Sequence, residues 1–412
     1  MRAFFLLSFL LCGAVVSATD YSYRVNLSGN GGAYAVGAGE NKVVAQDCSY
    51  DNLYAAGENV GGAIYVGENA NLELQGNHTF SNNAQWAWEE GLGIWYGFFN
   101  DIYLADGATL TLNAQAADAV ISLGSGLYSA ENSTTSVVKK GAGKVIFGEI
   151  SDNSGMYTAL MVEEGTVEMR SSVNTTSVRV DANANVVVNS VNEEDVIALF
   201  VGSDYAEEIV LSSNKEGITL KGVEVAASGI TASGAEKGII SGAAVTVYSE
   251  SAVTVNNVSF VDSAIWADSA ITLSDVSLDA DSSIDAAVEC VLSGENSIDL
   301  SSLTSSQLKG VTLADGASLT LTLSADLLSG VGKEFSIILE GVSMEENAVV
   351  TLKVQQENGV TSSVTMTGYT MESGSVKIEM RGESDATVPE PTTATLSLLA
   401  LAALTARRRR SA

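Results

Sequence analysis

The residue types that carry most enzyme chemistry are scarce in this 412-residue chain. His78 is the only histidine, so any Ser-His-Asp or Cys-His arrangement has to use it, and no G-x-S-x-G nucleophile motif accompanies it. A histidine-rich metal site is excluded for the same reason. The residue stands between Asn77 and Thr79, where the composition predicts a solvated turn. We therefore expect His78 to have no catalytic role.

Neighbouring carboxylates are the more numerous candidates for acid–base chemistry. Adjacent residues of a strand point to opposite faces, so the two members of such a pair cannot flank one glycosidic bond. Lys and Arg, which would stabilise an anion beside the bond, number 20 against 50 Asp and Glu. We therefore expect these residues in solvated turns: Glu89–Glu90, Glu163–Glu164, Glu193–Glu194–Asp195, Glu207–Glu208 and Glu345–Glu346.

A calcium loop is the metal site that the acidic residues suggest most directly. Asp279-Ala280-Asp281 begins like such a loop, but it lacks the later ligands and the glycine of an EF-hand. We therefore predict no cofactor, and any calcium binding is expected to be a weak association with the acidic surface.

Aromatic residues concentrate in one short segment, which holds three of the four tryptophans. Exposed aromatic rings stack on sugars and serve as interaction hot spots. The alternative is a cap packed over an apolar core, which the usual burial of aromatic clusters favours, and Trp266 is expected to be held inside the coils. The candidate glycan or partner contacts are Trp86, Trp88, Trp95 and Tyr96, and Phe98, Phe99 and Tyr103 lie beside them.

Short β-strands have to position these residues, because helical periodicity is almost absent between the two ends of the chain. Runs rich in Val, Ile, Leu and Thr alternate with turns of Gly, Asn, Asp and Ser, which is typical of strands. The chain has only two prolines, as expected where hydrogen-bonded ladders exclude proline. The sequence therefore predicts an all-β fold.

A nine-residue pattern appears three times, and its copies start 35 and 18 residues apart. Each copy reads as two alternating strands joined by a two-residue polar corner, with inward apolar side chains that stack on the next copy. Coils of about 18 to 25 residues predict a β-solenoid. The copies are Gly217–Val225, Ala252–Phe260 and Ala270–Leu278, with corners at Lys221–Gly222, Asn256–Asn257 and Ser274–Asp275, and a related pair is Ala105–Leu112 and Ala314–Leu321.

Two stretches resemble families whose passengers are right-handed parallel β-helices. Gly61–Ile64 (GGAI), followed by Phe80–Asn83 (FSNN), is similar to the GGAI and FxxN motifs of polymorphic outer-membrane proteins. Lys140–Val145 (KGAGKV), with Tyr157 and Val162–Val167 (VEEGTV), resembles the autotransporter-associated β-strand repeat. These resemblances cover a small part of the mature chain and imply right-handed coils, with glycines at tight corners and asparagine ladders between coils. The other coils of the predicted solenoid over residues 19–331 depend on the periodicity.

The pattern changes from about Gly332, where strands become longer and loops wider. This change predicts a terminal β-meander or sandwich over residues 332–381 that covers the open edge of the solenoid. A polar linker at 382–388 follows. The predicted strands of this cap are Phe335–Leu339, Val349–Val354 and Val376–Met380.

The last 24 residues hold a proline pair, a short apolar run and a basic end. A helix over the 13 residues Ala394–Ala406 spans about 20 Å, short of the ~30 Å hydrocarbon core, so it predicts a short membrane anchor with the basic end on the cytoplasmic side. The alternatives are an ordinary C-terminal helix and a nucleic-acid-binding tail. The motif residues are Pro389, Glu390 and Pro391, and then Arg407, Arg408, Arg409 and Arg410.

This tail resembles the PEP-CTERM sorting signal of Gram-negative bacteria over residues 389–412. The resemblance implies that an exosortase-type enzyme cuts at the triplet and passes the protein towards the cell surface. The N-terminus agrees, because Arg2 and the apolar run Phe4–Val16 form a signal peptide over residues 1–18 with cleavage after Ala18. We therefore expect export to the cell envelope, surface or extracellular matrix.

The net charge limits the partners that the chain can bind, and the cysteine content limits its cross-links and zinc sites. Loss of Arg2, the four terminal arginines and Glu390 changes the net charge from −30 to about −34, which repels nucleic acid and anionic lipid. Two cysteines, Cys48 and Cys290, remain after processing. They are too far apart in sequence to suggest a zinc site, and the sequence leaves open whether they form one disulfide. Disulfides are not expected to hold the fold together.

We therefore expect an exported, surface-sorted β-solenoid without enzymatic activity, of the adhesin or extracellular-scaffold type. The expected partners are a processing enzyme of the exosortase type and a polysaccharide or envelope glycan. The alternative is a β-helix enzyme, a polysaccharide lyase or hydrolase, whose carboxylates come together across coils. Acidic side chains from three adjacent coils that converge with a Lys or Arg in one groove would favour that alternative.

Overall fold

A computed structural model describes most of the chain between residues 19 and 381. The described ranges are 19–26, 31–57, 60–89, 94–129, 133–148, 158–189, 197–202, 207–211, 218–221, 223–226, 229–279, 281–299, 311–324, 334–344, 347–355, 361–367 and 374–381. The predicted signal peptide with Ala18, the linker, the Pro389–Pro391 triplet and the arginine run lie outside these ranges. The chain divides into a first unit, Met1–Val191, and a second unit, Asn192–Ala412.

The first unit consists of short strands separated by tight turns. Most span three to six residues, as expected for Val- and Leu-rich runs interrupted by Gly and Asn. The strands are β1 (Thr19–Asn26), β2 (Tyr34–Val36), β3 (Asn41–Val44), β4 (Cys48–Ala56), β5 (Ile64–Val66), β6 (Asn71–Gln75), β7 (His78–Ser81), β8 (Ala84–Glu89), β9 (Ile94–Phe99), β10 (Ile102–Leu104), β11 (Thr109–Asn113), β12 (Val120–Leu123), β13 (Leu127–Ser129), β14 (Ser136–Lys140), β15 (Lys144–Phe147), β16 (Ala159–Val162), β17 (Gly165–Met169), β18 (Val173–Thr175), β19 (Ser177–Val180) and β20 (Ala184–Val188).

These strands stack in three parallel rows. The first row runs β3-β6-β11-β14-β16-β19. The second row runs β1-β4-β7-β12-β15-β17-β20. The third row is a four-stranded sheet with the order β2-β5-β10-β13. Up to β13, consecutive segments of the chain visit the three rows in turn, and from β14 to β17 the described strands alternate between the first and second rows. The rows form a curled parallel sheet.

Side chains alternate between the core and the solvent along each row, with the period of two that a strand imposes. The in-register pairing aligns one inward column of aliphatic residues in the first row, and each member is at most 1% exposed. Full burial of one such side chain contributes roughly 1.5–3 kcal/mol. The column consists of Leu72, Leu110, Val137, Leu160 and Val178.

An aromatic column occupies the corresponding inward position in the second row. Tyr21 stacks on Tyr50 at 5.3 Å between ring centroids, and Tyr50 stacks on Phe80 at 4.3 Å. The ammonium group of Lys42 lies 3.5 Å from the centroid of Tyr34, at the edge strand β3. An inward-pointing charge on an edge strand opposes further strand addition there.

The second unit contains longer strands and both pairing directions. Its strands are β21 (Ile197–Val201), β22 (Glu207–Leu211), β23 (Ile218–Lys221), β24 (Glu224–Ala226), β25 (Ile230–Ser249), β26 (Val253–Ala267), β27 (Ile271–Ser274), β28 (Ser277–Leu278), β29 (Ser283–Ala286), β30 (Cys290–Ser293), β31 (Glu295–Asp299), β32 (Val311–Leu313), β33 (Ser318–Ser324), β34 (Glu334–Met344), β35 (Val349–Gln355), β36 (Thr361–Thr367) and β37 (Gly374–Arg381).

Parallel pairing continues from β25 to β35. β26 pairs with β25 on one side and with β27, β28 and β29 on the other. From there β27 pairs with β30 and β30 with β32, while β28 pairs with β31, β31 with β33 and β33 with β35. Two antiparallel pairs, β34–β37 and β35–β36, include all three strands predicted for the terminal cap.

The nine-residue repeat behaves as predicted in two of its three copies. Val253 lies opposite Ile271 in parallel register, and the polar corners at Asn257 and Asp275 have φ values of 55° and 58°. The first copy forms two short strands as predicted, but both pair antiparallel with β25 instead of stacking in parallel on the second copy. Only residues 227–229 separate β24 from β25, and so short a connection permits an antiparallel pair but not a parallel crossover. The corner residue Gly222 lies outside the described ranges.

The all-β prediction is confirmed, since every regular element in the described ranges is a strand. None of the described residues forms a helix that is long and apolar enough to cross a membrane.

Candidate functional site: an aromatic ribbon

The aromatic segment forms a two-stranded antiparallel ribbon that interrupts the parallel rows of the first unit. β8 leaves the second row after pairing in parallel with the end of β4. It then pairs antiparallel with β9, from Ala84 opposite Phe99 to Glu89 opposite Ile94. The chain returns to the third row at β10. The ribbon is therefore an insertion between two strands of the parallel sheet.

The described aromatic side chains of the ribbon are exposed. Trp86 is 41% exposed, Phe98 42% and Phe99 48%. The indole of Trp86 lies over Gly97, with one ring carbon 3.5 Å from the position a Cβ would take, and it meets the Tyr54 ring edge-on at 6.3 Å. The expected packing over a core is therefore wrong for these three residues, because the ribbon leaves the rows whose stacking buries side chains.

The remaining candidate contacts of the ribbon are placed by backbone register alone. Trp88 lies directly opposite Trp95, and Tyr96 lies opposite Ala87. The side chains of these residues are outside the described part of the structure. The register nevertheless puts all four predicted contact residues within one short hairpin.

A buried polar network holds the base of the ribbon, where Asn83 precedes β8. The Asn83 side-chain oxygen accepts a hydrogen bond from the Leu53 N–H at 3.0 Å. Its amide nitrogen donates to the Tyr50 carbonyl oxygen at 3.1 Å and to the Asp101 carboxylate at 2.7 Å. One fully buried amide thus joins the coil that precedes the ribbon to the coil that follows it.

Asp101 anchors the chain where the ribbon ends. Its second carboxylate oxygen accepts the Ser125 N–H at 2.7 Å. Burial raises the pKa of Asp101 to about 7, and hydrogen bonds from Asn83, Ser125 and Gly126 oppose this rise. The preceding residue, Asn100, donates to the Val60 carbonyl oxygen at 3.0 Å and to the Gln85 side chain at 3.2 Å. Both strands of the ribbon are thus fixed at their base.

The GGAI-like motif supplies the space that this base requires. Gly62 donates its N–H to the Asn100 carbonyl oxygen at 3.0 Å. A Cβ on Gly62 would lie 2.9 Å from the Asn83 carbonyl carbon, and one on Gly61 would lie 2.9 Å from the Tyr103 nitrogen. Gly62 is therefore required by the close approach of neighbouring coils, whereas a Cβ on Gly61 would first meet the Ile64 carbonyl group of its own turn.

The FxxN-like motif follows a rule that recurs at the corners of both units. An Asn or Asp with positive φ turns the chain, and the N–H of the next residue donates to a buried Asn or Ser side chain of the following coil. The pairs are Leu53–Asn83 at 3.0 Å, Asn83–Ser125 at 3.1 Å, Ser263–Ser282 at 3.1 Å and Val276–Asn296 at 3.1 Å. The turning residues are Asn52, Asn82, Asp262 and Asp275. This rule satisfies a buried donor that the strand ladder leaves unpaired.

The stretch that resembles the autotransporter-associated β-strand repeat is organised around a buried lysine, Lys139. Lys139 donates to the carbonyl oxygens of Lys140 at 2.8 Å, Gly141 at 2.5 Å and Glu164 at 2.8 Å. Burial lowers the pKa of Lys139 to about 8. Gly141 and Gly165 take positive φ values of 75° and 77° at these stacked corners. The lysine therefore acts as a fixed internal cation for three backbone dipoles, and Tyr157 lies outside the described residues.

Glu168 is the described carboxylate with the strongest ionic surroundings. Lys144, Arg170 and Asn189 donate to it, the last two at 2.6 and 3.0 Å. Burial by itself would raise the pKa of Glu168, but these donors outweigh it and lower the pKa to about 2. The cluster contains one carboxylate rather than a set from three coils, so it does not form the acid–base groove defined above.

His78 occupies a different position from the predicted one. It is the first residue of β7, is fully buried, and shares its inward column with Cys48 and Ile121. Burial lowers its pKa. The solvated-turn prediction is wrong because the turn at Gly76 ends two residues earlier, and Nε2 lies 3.0 Å from the Gln75 carbonyl oxygen.

The carboxylate pairs follow the prediction only in part. Glu163–Glu164 is an exposed turn between β16 and β17, and Lys140 lies 3.5 Å from Glu163. Glu207–Glu208, in contrast, opens strand β22, so the turn prediction is wrong there. Glu89 ends β8. Glu90, Glu193–Asp195 and Glu345–Glu346 lie outside the described ranges.

Two further predictions concern cysteine and tryptophan. Cys48 and Cys290 are both buried thiols, and burial raises the pKa of Cys290 to about 12. Trp266 was predicted to lie inside the coils, but it is 48% exposed because the β26 register places it on the outer face. Within the described residues, no group of three or more His, Cys, Asp or Glu side chains is arranged to hold a metal ion.

The coil that precedes the GGAI-like motif was missed. Gly31–Gly32–Ala33 is an earlier copy, and Tyr34 lies opposite Ile64 in register. The hydrogen bonds Asn71–Asn41 and Asn77–Asp47 join residues 30 positions apart. The signal was present as a 30-residue self-similarity, which the search for the nine-residue pattern did not detect.

Comparison of the chain with protein-family models, with curated proteins and with solved structures found no match.

Proposed function

We propose that this protein is an exported, surface-sorted, non-enzymatic β-solenoid of the adhesin or extracellular-scaffold type. In this proposal the parallel rows form a right-handed solenoid that presents the aromatic ribbon to a polysaccharide or an envelope glycan. The PEP-CTERM-like tail is processed by an exosortase-type enzyme or anchors the chain through its short apolar segment. The observation that carries the binding role is the exposure of Trp86 and Phe99 on one face of the ribbon and of Phe98 on the other face.

The three parallel rows support the solenoid part of the proposal. Their strands pair in register over coils such as the 30-residue step from Asn41 to Asn71, and most of the inward side chains are apolar. Such stacking is what a repeat needs to bury a continuous core. The right hand is taken from the resemblance of the two motifs to known β-helix passengers.

The geometry of the ribbon supports recognition rather than packing. Aromatic side chains lose little entropy on binding because they have few rotatable bonds, and they supply large contact areas. The Asn83–Asp101 network fixes the base of the ribbon, so its position relative to the neighbouring coils is set before a ligand arrives. Pre-organisation of this kind reduces the ordering cost of binding.

Glycan binding by the purified full-length chain tests the proposal. We expect a panel of neutral and acidic oligosaccharides to contain ligands that the wild type retains. The triple variant Trp86→Ala, Phe98→Ala, Phe99→Ala is expected to lose them by at least about tenfold, with an unchanged melting temperature. Val43→Ala is the matched control, because Val43 is also a large exposed apolar residue of the first unit.

Two outcomes would contradict the ribbon as the recognition surface. In the first, the triple variant binds the panel as the wild type does. In the second, the variant unfolds at a markedly lower temperature, which would make the ribbon a packing element. Release of shortened oligosaccharides from the panel by the wild type would favour the polysaccharide-degrading alternative.

A further inference from the structure

A second aromatic pair lies on the outer face of the second unit, independent of the ribbon. Tyr248 of β25 is opposite Trp266 of β26, and Trp266 is opposite Asp285 of β29. The two rings have centroids 5.2 Å apart and planes tilted by 57°. Tilted rings do not cover each other's faces, and almost half of the Trp266 side chain is exposed. A ligand can therefore reach a π face at this point.

Carboxylates surround this aromatic pair. The Tyr248 hydroxyl donates to the Asp268 carboxylate at 3.0 Å, and Asp268 is exposed. Asp285 is exposed directly beside Trp266, and the backbone register puts Glu208 opposite Tyr248 on the other side. Two aromatic rings with carboxylates at both sides form a surface that attracts a positive group.

The local sequence offers no cation of its own to this surface. Residues 238–308 contain ten Asp or Glu residues and no Lys, Arg or His. The positive charge that complements the site must therefore come from elsewhere. A bare divalent ion fits poorly, because it binds through oxygen ligands and would make no use of the two rings, and the described residues contain no metal-binding cluster. An organic ammonium group uses both the rings and the carboxylates.

We propose that Tyr248, Trp266, Asp268 and Asp285 form a binding site for a glycan that carries protonated amino groups. The flat face of a sugar ring stacks on the Trp266 indole, while its ammonium group donates hydrogen bonds to Asp268 and Asp285. A lysine-rich polypeptide offers the same charge but no flat ring, and ordering its long side chains costs about 2 kcal/mol each. The rigid sugar ring is therefore the ligand that the exposed indole favours.

The test measures binding of a glucosamine hexamer to the full-length protein by calorimetry at pH 6 and low salt. We expect the N-acetylglucosamine hexamer, which has the same rings without the charge, to bind at least about tenfold more weakly. Trp266→Ala is expected to weaken glucosamine binding about tenfold, whereas Trp266→Phe retains part of it. Val261→Ala, which removes another exposed apolar side chain of the same strand, serves as the control and is expected to leave binding unchanged.

A charge-matched pair of variants separates this site from general attraction to an acidic protein. Asp285→Asn is expected to weaken glucosamine binding several-fold, and Asp118→Asn, which removes an exposed carboxylate of the first unit, is expected to leave it unchanged. Equal losses in both variants would overturn the proposal. Equal binding of the two hexamers would overturn the role of charge. A lysine hexapeptide that binds more tightly, with the same sensitivity to Trp266→Ala, would overturn the glycan assignment.

Discussion

The corners of the two units share one kind of hydrogen bond, from a backbone N–H to a buried side chain. That side chain has different further partners in the two units. In the first unit the Asn83 side chain accepts a hydrogen bond from the Leu53 N–H and donates hydrogen bonds to the Tyr50 carbonyl oxygen and the Asp101 carboxylate. In the second unit Asn296 accepts the Val276 N–H and donates to the Ser293 carbonyl oxygen, without a carboxylate. The shared bond satisfies the donor that a positive-φ corner leaves unpaired.

The difference coincides with the ribbon. At the corner of Asn296 the side chain has only neutral partners, and at the corner of Ser263 the Ser282 hydroxyl donates to the half-buried Asp279 carboxylate at 2.6 Å. The corner at Asn83 must also receive the chain when it returns from the ribbon at Asn100, and Asp101 supplies the acceptors for that return. The fully buried carboxyl group of Asp101 thus lies at the corner where the ribbon leaves and rejoins the parallel rows.

Loss of the amide at the ribbon base is expected to have the largest effect. Asn83→Leu leaves the Leu53 N–H, the Tyr50 carbonyl and the Asp101 carboxylate without their buried partner. We expect a loss of about 3–5 kcal/mol in the free energy of unfolding, measured by denaturant titration. The control is Asn41→Ala, an exposed ladder residue whose loss should cost less than about 1 kcal/mol. Similar losses in both variants would contradict the account.

The buried carboxylate is expected to make stability depend on pH near neutrality. The pKa of Asp101 is raised to about 7 from its usual 3.8. Its contribution to the free energy of unfolding is therefore greatest below about pH 4 and is lost as the pH rises towards 7. The slope is at most about 1.4 kcal/mol per pH unit. Asp101→Asn should remove this slope in unfolding titrations between pH 4 and 8. An unchanged slope would mean that another group is responsible.

The neutral corner of the second unit is expected to be less sensitive. Asn296→Leu removes the hydrogen bonds that Asn296 makes with the buried Val276 N–H and the Ser293 carbonyl oxygen. This loss should cost about 2 kcal/mol in the free energy of unfolding. The effect should not vary between pH 4 and 8. If Asn296→Leu cost more than Asn83→Leu, the special status of the ribbon base would be wrong.

Glu168 provides a carboxylate with the opposite dependence on pH. Its pKa is lowered to about 2 from 4.5. Its contribution to the free energy of unfolding is therefore present above about pH 4.5 and is lost as the pH falls towards 2. Glu168→Gln is expected to cost about 1–2 kcal/mol at pH 7 and progressively less below pH 4.5. Thermal unfolding at pH 7 and pH 3 measures this, and an equal cost at both values would contradict it.

The sequence predicted the strands and their polar corners because both depend on local residue types. Alternating apolar residues mark strands, and Asn257 and Asp275 tolerate the positive φ that a corner needs. The register of the first row was not predicted, because the 30-residue step from Asn41 to Asn71 is longer than the predicted coils of about 18 to 25 residues.

The partners of buried polar residues were not predictable in the same way. His78 looked like a turn residue because its neighbours are polar, but its column is set by Cys48 and Ile121 in other coils. The antiparallel pairing of β23 depends on the length of the connection to β25, and the exposure of Trp266 depends on which face its register selects. Asp101 carried no sequence signal, because its partners come from coils 18 and 24 residues away.

Intact-mass analysis of the protein recovered from cells and from medium tests whether the chain is exported and processed. We expect a mature chain that begins at Thr19 and has lost everything beyond the Pro389–Glu390–Pro391 region. A chain that keeps its first 18 residues would contradict export. A recovered C-terminus at Ala412 in both fractions would contradict processing and surface sorting.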